Sequence, residues 1–129
     1  MRGRTAALAA AVAVVLTRPA TAQDAAMGER VYGLCRACHQ VGETARNTIG
    51  PQLNGLFGRM SGTVEGYRYS AANRVADVVW TEAVFAAYIA NPRRFMPGTK
   101  MSFGGMRNAQ QIQDLTAYLR RFGPDGRQR

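Results

Sequence analysis

The chain is poor in the residues that most metal sites require. Its 129 residues include one histidine, two cysteines and a single lysine, Lys100. A structural zinc site normally needs four cysteine or histidine ligands, so a zinc site is disfavoured. Internal repeats and low-complexity tracts are also absent, and one domain is therefore the simplest organisation.

Long hydrophobic runs are scarce as well, because the longest is the eleven apolar residues 6–16. A helix that crosses a bilayer needs about 20 apolar residues, so a retained membrane anchor is disfavoured. Arg2 and Arg4 precede this run, and the small residues Ala20 and Ala22 follow it. That order is typical of a secretory signal peptide, whereas a mitochondrial presequence would be amphipathic. The sequence predicts a cleavable signal peptide over 1–22 and export to a bacterial periplasm.

The two cysteines and the histidine that are present lie within five residues, Cys35-Arg36-Ala37-Cys38-His39. This spacing is typical of a c-type haem attachment site, where two thiols add to the porphyrin vinyl groups and the imidazole binds the iron. A thioredoxin-like dithiol would predict a βαβ context, and it would leave the histidine unexplained. A plain disulfide is the other alternative, since a free thiol pair in an oxidising compartment would close.

Removal of residues 1–22 leaves 107 residues, with 14 basic and eight acidic residues and a formal charge of +6. Such a charge suits nucleic acid, an anionic membrane or an acidic protein partner. No nucleic-acid-binding motif accompanies it. A domain of this size is short of core, and a covalently held porphyrin would supply an apolar centre.

Helix signals are strongest at the two ends of residues 23–129, and strand signals are weak throughout. Asp24 is a candidate N-cap for a first helix, and Asn108 for a last helix that Gly123-Pro124 ends. The predicted apolar faces are Met27, Val31, Leu34 and Cys35 in the first helix and Ile112, Leu115, Leu119 and Phe122 in the last. These two helices are predicted to pack together, through Gly28, Tyr32, Leu115 and Tyr118. The sequence predicts an all-α fold of short helices and long loops.

The middle of the chain is rich in glycine, with six glycines and Pro51 between residues 42 and 66. Neither a helical nor a strand period persists there. A structureless stretch of this length fits a compact domain if it wraps a rigid cofactor. A further helix, apolar at Val84, Phe85, Tyr88 and Ile89, is predicted between the candidate N-cap Thr81 and Asn91-Pro92.

An iron with one histidine ligand leaves its sixth position open to methionine, a lysine, water or nothing. Met27 lies on the same helix as Cys35 and cannot reach the other face of the ring, so it is interpreted as a core residue. Met60 lies in the glycine-rich loop. The remaining candidates, Met96, Met101 and Met106, share a segment rich in proline and glycine, and spacing favours none of them strongly.

Longer motifs carry a family resemblance. They are residues 50–59 (GPQLNGLFGR), residues 66–73 (GYRYSAAN), Trp80, Asn91-Pro92 and residues 97–101 (PGTKM). Together they resemble class I c-type cytochromes, most closely mitochondrial cytochrome c and its short-chain bacterial relatives, over residues 28–119. The resemblance implies the cytochrome c fold and one-electron transfer, and it makes residues 23–129 a monohaem domain.

The same resemblance implies roles for individual residues. Met101 becomes the sixth ligand, while Met96 and Met106 pack in the core. Pro51 resembles the residue whose carbonyl accepts the second N–H of the axial histidine. Residues implied near the haem propionates are Arg59, Tyr69, Asn73 and Trp80, and those implied near the bound sulfur are Asn73, Tyr88 and Thr99. Buried aromatic residues can also be ordinary core residues whose polar tips find partners.

The predicted function is a soluble, monomeric electron carrier of a respiratory or photosynthetic chain, and not an enzyme. Its expected donor is a quinol-oxidising cytochrome complex, and its expected acceptor is a cytochrome oxidase or photosynthetic reaction centre. They would bind a basic face that includes Arg36, Arg93, Arg94, Lys100 and Arg107. The alternatives are a haem enzyme or gas- or peroxide-binding protein with a labile sixth ligand, and a docking subunit of a larger complex.

Overall fold

The computed structural model describes Gly3, residues 6–16 and residues 23–129. It contains helices α1 (Ala25–Tyr32), α2 (Ala71–Val75), α3 (Glu82–Ala90), α4 (Pro92–Phe95) and α5 (Ala109–Arg120). These described parts contain no strand, and their extended pairing is limited to two isolated bridges, Met60 with Val79 and Phe122 with Gln128. The predicted all-α fold of short helices and long loops is confirmed.

Residues 6–16, the apolar part of the predicted signal peptide, form no helix, and their large side chains are exposed. The rest of 1–22 apart from Gly3, including the predicted cleavage site, lies outside the described residues. No helix among the described residues combines the length and the apolar character that crossing a bilayer requires.

Helix α1 packs against α5, as predicted, and a glycine sets their separation. A Cβ atom on Gly28 would lie 1.9 Å from the carbonyl oxygen of Asp114 and 2.8 Å from the Cβ of Tyr118. One turn later, the rings of Tyr32 and Tyr118 lie 5.3 Å apart. The N–H of Asp24 donates to Oδ1 of Asp114 at 2.9 Å, which fixes the start of α1 on α5.

The residues of α1 that were predicted to contact α5 are buried, whereas the apolar face predicted from periodicity is partly exposed. Gly28 and Tyr32 are the buried residues of α1, whereas Met27 is 43% exposed and Leu34 is 65% exposed. The interpretation of Met27 as a core residue is therefore wrong. The helices cross where α1 has no side chain, and a hydrophobic pattern does not reveal that position because glycine adds nothing to it.

The predicted caps of the longer helices are confirmed. Asp24 accepts the N–H of Ala26 at 2.9 Å, and Thr81 accepts that of Val84 at 3.1 Å. Asn108 accepts the N–H of Gln111 at 3.0 Å. These bonds satisfy backbone donors that the first helical turn leaves free.

Two short helices, α2 and α4, were not predicted. Asn91 ends α3, and its side chain then caps α4, in which Pro92 occupies the first turn. Proline suits that place, since the N–H it lacks would have no helical partner. Helices of four and five residues carry too little periodicity to be seen in a sequence.

Replacing Gly28 with alanine should destabilise the protein, because the added methyl group meets the backbone of α5. Overpacking costs about 1–3 kcal/mol, and here it outweighs the gain of about 1 kcal/mol that alanine offers within a helix. We expect the free energy of unfolding in guanidinium chloride to fall by about 2 kcal/mol. Gly104→Ala, whose Cβ meets nothing within 4 Å, is the control. Equal stability of both variants would contradict the packing described.

Candidate functional site

A cavity of about 390 Å³ lies at the centre of the fold. Protein interiors are close-packed, so an opening of this size indicates a bound group rather than a packing defect. Its apolar walls include Leu53, Leu56, Phe85, Ile89, Leu115 and Leu119. The structure brings all the predicted site residues to this cavity, which are Cys35, Cys38, His39, Pro51, Arg59, Tyr69, Asn73, Trp80, Tyr88, Thr99 and Met101.

The Cys-x-x-Cys-His segment forms a turn that continues from α1. The N–H of Cys35 donates to the carbonyl of Tyr32 at 2.8 Å, and the N–H of His39 donates to that of Cys35 at 2.9 Å. Both cysteines are free and partly buried. Burial, with a smaller effect of Cys38, raises the pKa of the Cys35 thiol to about 11. The Cys35 thiol is therefore protonated at neutral pH.

His39 is held in one tautomer. Its Nδ1 lies 2.8 Å from the carbonyl oxygen of Pro51, which can only accept, so Nδ1 carries the proton. Burial lowers the pKa of the imidazole, which favours the neutral form although the hydrogen bond to Pro51 opposes this shift. In a neutral ring with Nδ1–H, the lone pair of Nε2 is free to bind a metal.

The chain approaches the imidazole closely at Gly50. A Cβ atom there would lie 2.3 Å from Cε1 of His39, so no larger residue fits beside the ring as it stands. The N–H of Gly50 and the hydroxyl of Thr48 both donate to the carbonyl of Cys38, at 2.7 and 2.8 Å. The glycine-rich loop therefore packs against the Cys-x-x-Cys-His turn, which we call the attachment turn.

Met101 is distinguished from the other methionines by its position. Among the five methionines of residues 23–129, it alone lines the cavity. Met96 and Met106 are 4% and 5% exposed and lie in the hydrophobic core, while Met60 is 40% exposed. Spacing in the sequence favoured none of the three methionines in the proline- and glycine-rich segment. The fold distinguishes them, because it places only Met101 of the three at the cavity.

Polar side chains surround the sulfur of Met101. The hydroxyl of Tyr88 lies 3.4 Å from Sδ of Met101, to which it donates, and 2.9 Å from the hydroxyl oxygen of Thr99. Burial raises the pKa of Tyr88, so its hydroxyl keeps its proton at neutral pH. Of the three residues predicted near the sulfur, Tyr88 and Thr99 therefore lie in one hydrogen-bonded group with it, and Asn73 makes no hydrogen bond to that group among the described residues.

A second polar group lies at another part of the cavity wall. Nη1 of Arg59 donates to the carbonyls of Gln52 and Asn54, both at 3.2 Å, and burial lowers the pKa of its guanidinium. The ion pairs among the described residues are Arg120 with Glu82 and Arg127 with Glu43, so Arg59 has no carboxylate there. A partly buried cation without an anion fits a bound group that carries carboxylates.

Asn73 and Tyr69 complete this polar wall. Oδ1 of Asn73 is buried and has no hydrogen-bond partner in the described structure. An unpaired buried polar atom is costly, so a bound group or an ordered water is needed to satisfy it. The hydroxyl of Tyr69 accepts the N–H of Val64 at 3.0 Å, which leaves its own proton to donate. The donors of Arg59 and Tyr69 fit a large apolar cofactor with anionic substituents, whereas Oδ1 of Asn73 needs a donor, such as an ordered water.

Trp80 is held beside Arg59 by the backbone. The backbone N–H of Trp80 donates to the carbonyl of Arg59 at 2.8 Å, and the backbone carbonyl of Trp80 accepts the N–H of Gly58 at 2.9 Å. Its ring meets that of Tyr88 edge-on at 5.1 Å, so it connects the polar wall with the surroundings of Met101.

Tyr67 is a site residue that sequence reasoning missed. It lines the cavity, and its hydroxyl donates to the carbonyl of Ile49 at 2.7 Å. The ammonium of Lys100 lies 4.4 Å from the centre of its ring and also donates to the carbonyl of Arg68. The only sequence signal was its place in the motif of residues 66–73, because these contacts join distant segments.

Comparison with known proteins shows the family. The family model of cytochrome c matches residues 25–122. A cytochrome c2 of Blastochloris viridis is 52% identical over 119 residues, which are 92% of this chain and 90% of that protein. A cytochrome c-550 of Nitrobacter winogradskyi is 46% identical over 104 residues, covering 81% of this chain and 95% of that protein.

A solved structure has the same fold. Cytochrome cH from Methylobacterium extorquens superposes with a TM-score of 0.71 at 36% identity, over 75% of this chain and 97% of that one. The chain belongs to the cytochrome c family. Its cofactor is haem c, bound covalently through Cys35 and Cys38, and its function is electron transfer.

Proposed function

We propose that the protein is a soluble, monomeric one-electron carrier in which His39 and Met101 both bind the haem iron. The observation that carries this proposal is that Met101 alone among the methionines of residues 23–129 lines the cavity. Bound haem c supplies one-electron exchange between Fe(II) and Fe(III). The chain's task is then to hold both ligands, exclude water and keep the site closed.

The two ligands have complementary roles. Pro51 holds Nδ1 of His39, at 2.8 Å, and so directs the Nε2 lone pair to the iron. Met101 supplies a neutral, soft thioether, which favours the reduced iron and raises the reduction potential. With both positions taken by side chains, no site is left for a substrate. An electron carrier is therefore favoured over a haem enzyme or a gas- or peroxide-binding protein.

The remaining predicted site residues are proposed to secure the cofactor's polar edge and the sulfur. Arg59, whose charge no carboxylate of the described residues meets, pairs with the propionates, with Tyr69, Trp80 and the Nδ2 amide of Asn73 as further donors. At the other ligand, Tyr88 holds the sulfur of Met101 by a hydrogen bond, and the hydroxyl of Thr99 holds that of Tyr88.

Replacing Met101 with alanine should remove the thioether from the iron. We expect loss of the weak red sulfur-to-iron absorption band of the oxidised protein. The reduction potential should fall by on the order of 0.1 V, within the roughly 0.8 V range that axial ligands span. Met60→Ala removes an exposed thioether that does not line the cavity and should leave both properties unchanged. A red band that survives in Met101→Ala would show that another group binds the iron.

Partner binding is proposed to use a basic face, made of Arg36, Arg93, Arg94, Lys100 and Arg107. All five residues are exposed, and none forms an ion pair with a described carboxylate. Leu34 and Ile49 line the cavity yet are 65% and 72% exposed, so an apolar rim lies at its mouth. An acidic protein surface would be steered to this face and would dock over the rim.

The proposed partners are membrane redox complexes of a respiratory or photosynthetic chain. A quinol-oxidising cytochrome complex is the proposed donor, and a cytochrome oxidase or a reaction centre is the proposed acceptor. A carrier that exchanges single electrons with a donor and an acceptor must bind each of them quickly and weakly. Long-range electrostatic attraction, which salt screens, provides such binding.

Replacing Arg36 and Arg93 together with glutamine should slow reduction by a purified quinol-oxidising complex. We expect a loss of about tenfold at low ionic strength, because steering weakens, and convergence with the unmodified protein as salt rises. A matched variant, Arg30→Gln with Arg129→Gln, removes the same charge from exposed residues that neither belong to the proposed face nor line the cavity, and it should change the rate much less. Equal losses in the two variants would indicate that total charge matters and not this face.

Export is proposed to remove residues 1–22 and leave the haem domain, residues 23–129, in the periplasm. Two contacts hold the proposed new terminus: Oε1 of Gln23 accepts from Nη2 of Arg120 at 2.8 Å, and Asp24 caps α1. The proposed cleavage would thus spare the packed domain.

Mass spectrometry of the protein from the periplasmic fraction should find a chain that begins at Gln23 and carries one haem. Deleting residues 6–16 should prevent its appearance there, because the apolar stretch directs export. A membrane-bound protein that retains residues 1–22 would point instead to an uncleaved anchor.

A further inference from the structure

The end of helix α3 contacts the Met101 segment at two places. The hydroxyl of Tyr88 donates to Sδ of Met101 at 3.4 Å. The next residue, Ile89, accepts the N–H of Met106 through its carbonyl at 2.8 Å. Both ends of residues 101–106 are therefore attached to the same turn of α3.

Gly105 makes the second attachment possible. Its φ is +110°, a conformation that residues with a side chain rarely adopt. A Cβ atom there would lie 2.3 Å from the carbonyl oxygen of Ala90 and 3.4 Å from Cα of Asn91. The backbone of Gly105 thus lies directly against the C-terminal end of α3, where no side chain fits.

Besides these attachments, the partly buried side chain of Phe103 packs against the core and lines the cavity. Residues 102–105 make no backbone–backbone hydrogen bond in the described structure, and Ser102 and Gly104 are exposed. The side chain of Met106 is 5% exposed and anchors the end of the segment in the core. A change at Gly105 or Met106 would therefore shift the segment that carries Met101.

We propose that Gly105 is a positioning residue for Met101: its close packing on α3 keeps the thioether beside Tyr88 and bound to the iron. This inference rests on the proposed ligation by His39 and Met101. A side chain at position 105 pushes the segment away from Ala90, and the fraction of molecules with an open sixth position rises. An external ligand then binds more tightly, because its apparent affinity scales with that fraction.

Gly105→Ala, with Gly104→Ala as the matched control, tests this proposal in the haem-loaded, oxidised protein. The readouts are the red sulfur-to-iron band and the apparent affinity for imidazole, which competes for the sixth position. We expect the affinity to rise about tenfold in Gly105→Ala and the band to weaken. Gly104→Ala should match the unmodified protein, since its Cβ meets nothing within 4 Å. Equal imidazole affinities in all three proteins would overturn the proposal.

A second pair of variants covers the case in which Gly105→Ala does not fold. Met106→Ala loosens the same anchor from inside the core, whereas Ile112→Ala removes a similar volume on α5, outside the cavity lining. We expect imidazole affinity to rise in Met106→Ala and to stay unchanged in Ile112→Ala. Equal increases would assign the effect to global stability and overturn the proposal.

The outcomes also separate this inference from the proposed function. A normal red band in the unmodified protein, with no change in Gly105→Ala, overturns the role of Gly105 alone. Absence of the band from the unmodified protein, with imidazole affinity as high as in Met101→Ala, overturns both the methionine ligation and the role of Gly105.

Discussion

The hydrogen bond between His39 and Pro51 is the constraint on which the rest of the site depends. It joins the attachment turn after α1 to the glycine-rich loop, at 2.8 Å from Nδ1 to the carbonyl oxygen. A carbonyl accepts and cannot donate, so the bond sets the tautomer and leaves Nε2 for the metal. Gly50 must be small because the loop reaches the ring there. The glycine-rich loop has no regular structure, and its contact with the His39 ring, which it orients, thus fixes its position.

Local features were predictable from the sequence, whereas most contacts between distant segments were not; the packing of α1 on α5 is the exception. The caps at Asp24, Thr81 and Asn108 depend on side chains and backbone donors no more than three residues apart, so they can be read directly. The exposure of Met27 depends on where α1 crosses α5, which a hydrophobic pattern does not contain. Spacing could not choose Met101 from its neighbours. Family resemblance favoured it, and the fold places it in the cavity.

The cavity combines apolar walls with a few polar groups at defined positions, and this combination suits an electron carrier. Apolar residues of α3 and α5 exclude water, which disfavours the more charged oxidised iron. Under the proposed function, Arg59 supplies the cation for the cofactor's carboxylates, and Tyr88, which donates to Sδ of Met101, holds the thioether. The basic side chains that would attract a partner are exposed on the surface of the protein. Under the proposed function, the interior therefore serves electron transfer and the exposed charges serve docking.

A crystal structure of the oxidised, haem-loaded protein, with the iron located by its anomalous scattering, is the most direct test. The account predicts thioether bonds to Cys35 and Cys38, with the iron bound by Nε2 of His39 on one face and by Sδ of Met101 on the other. An iron whose sixth position holds water, Lys100 or a different methionine would contradict it.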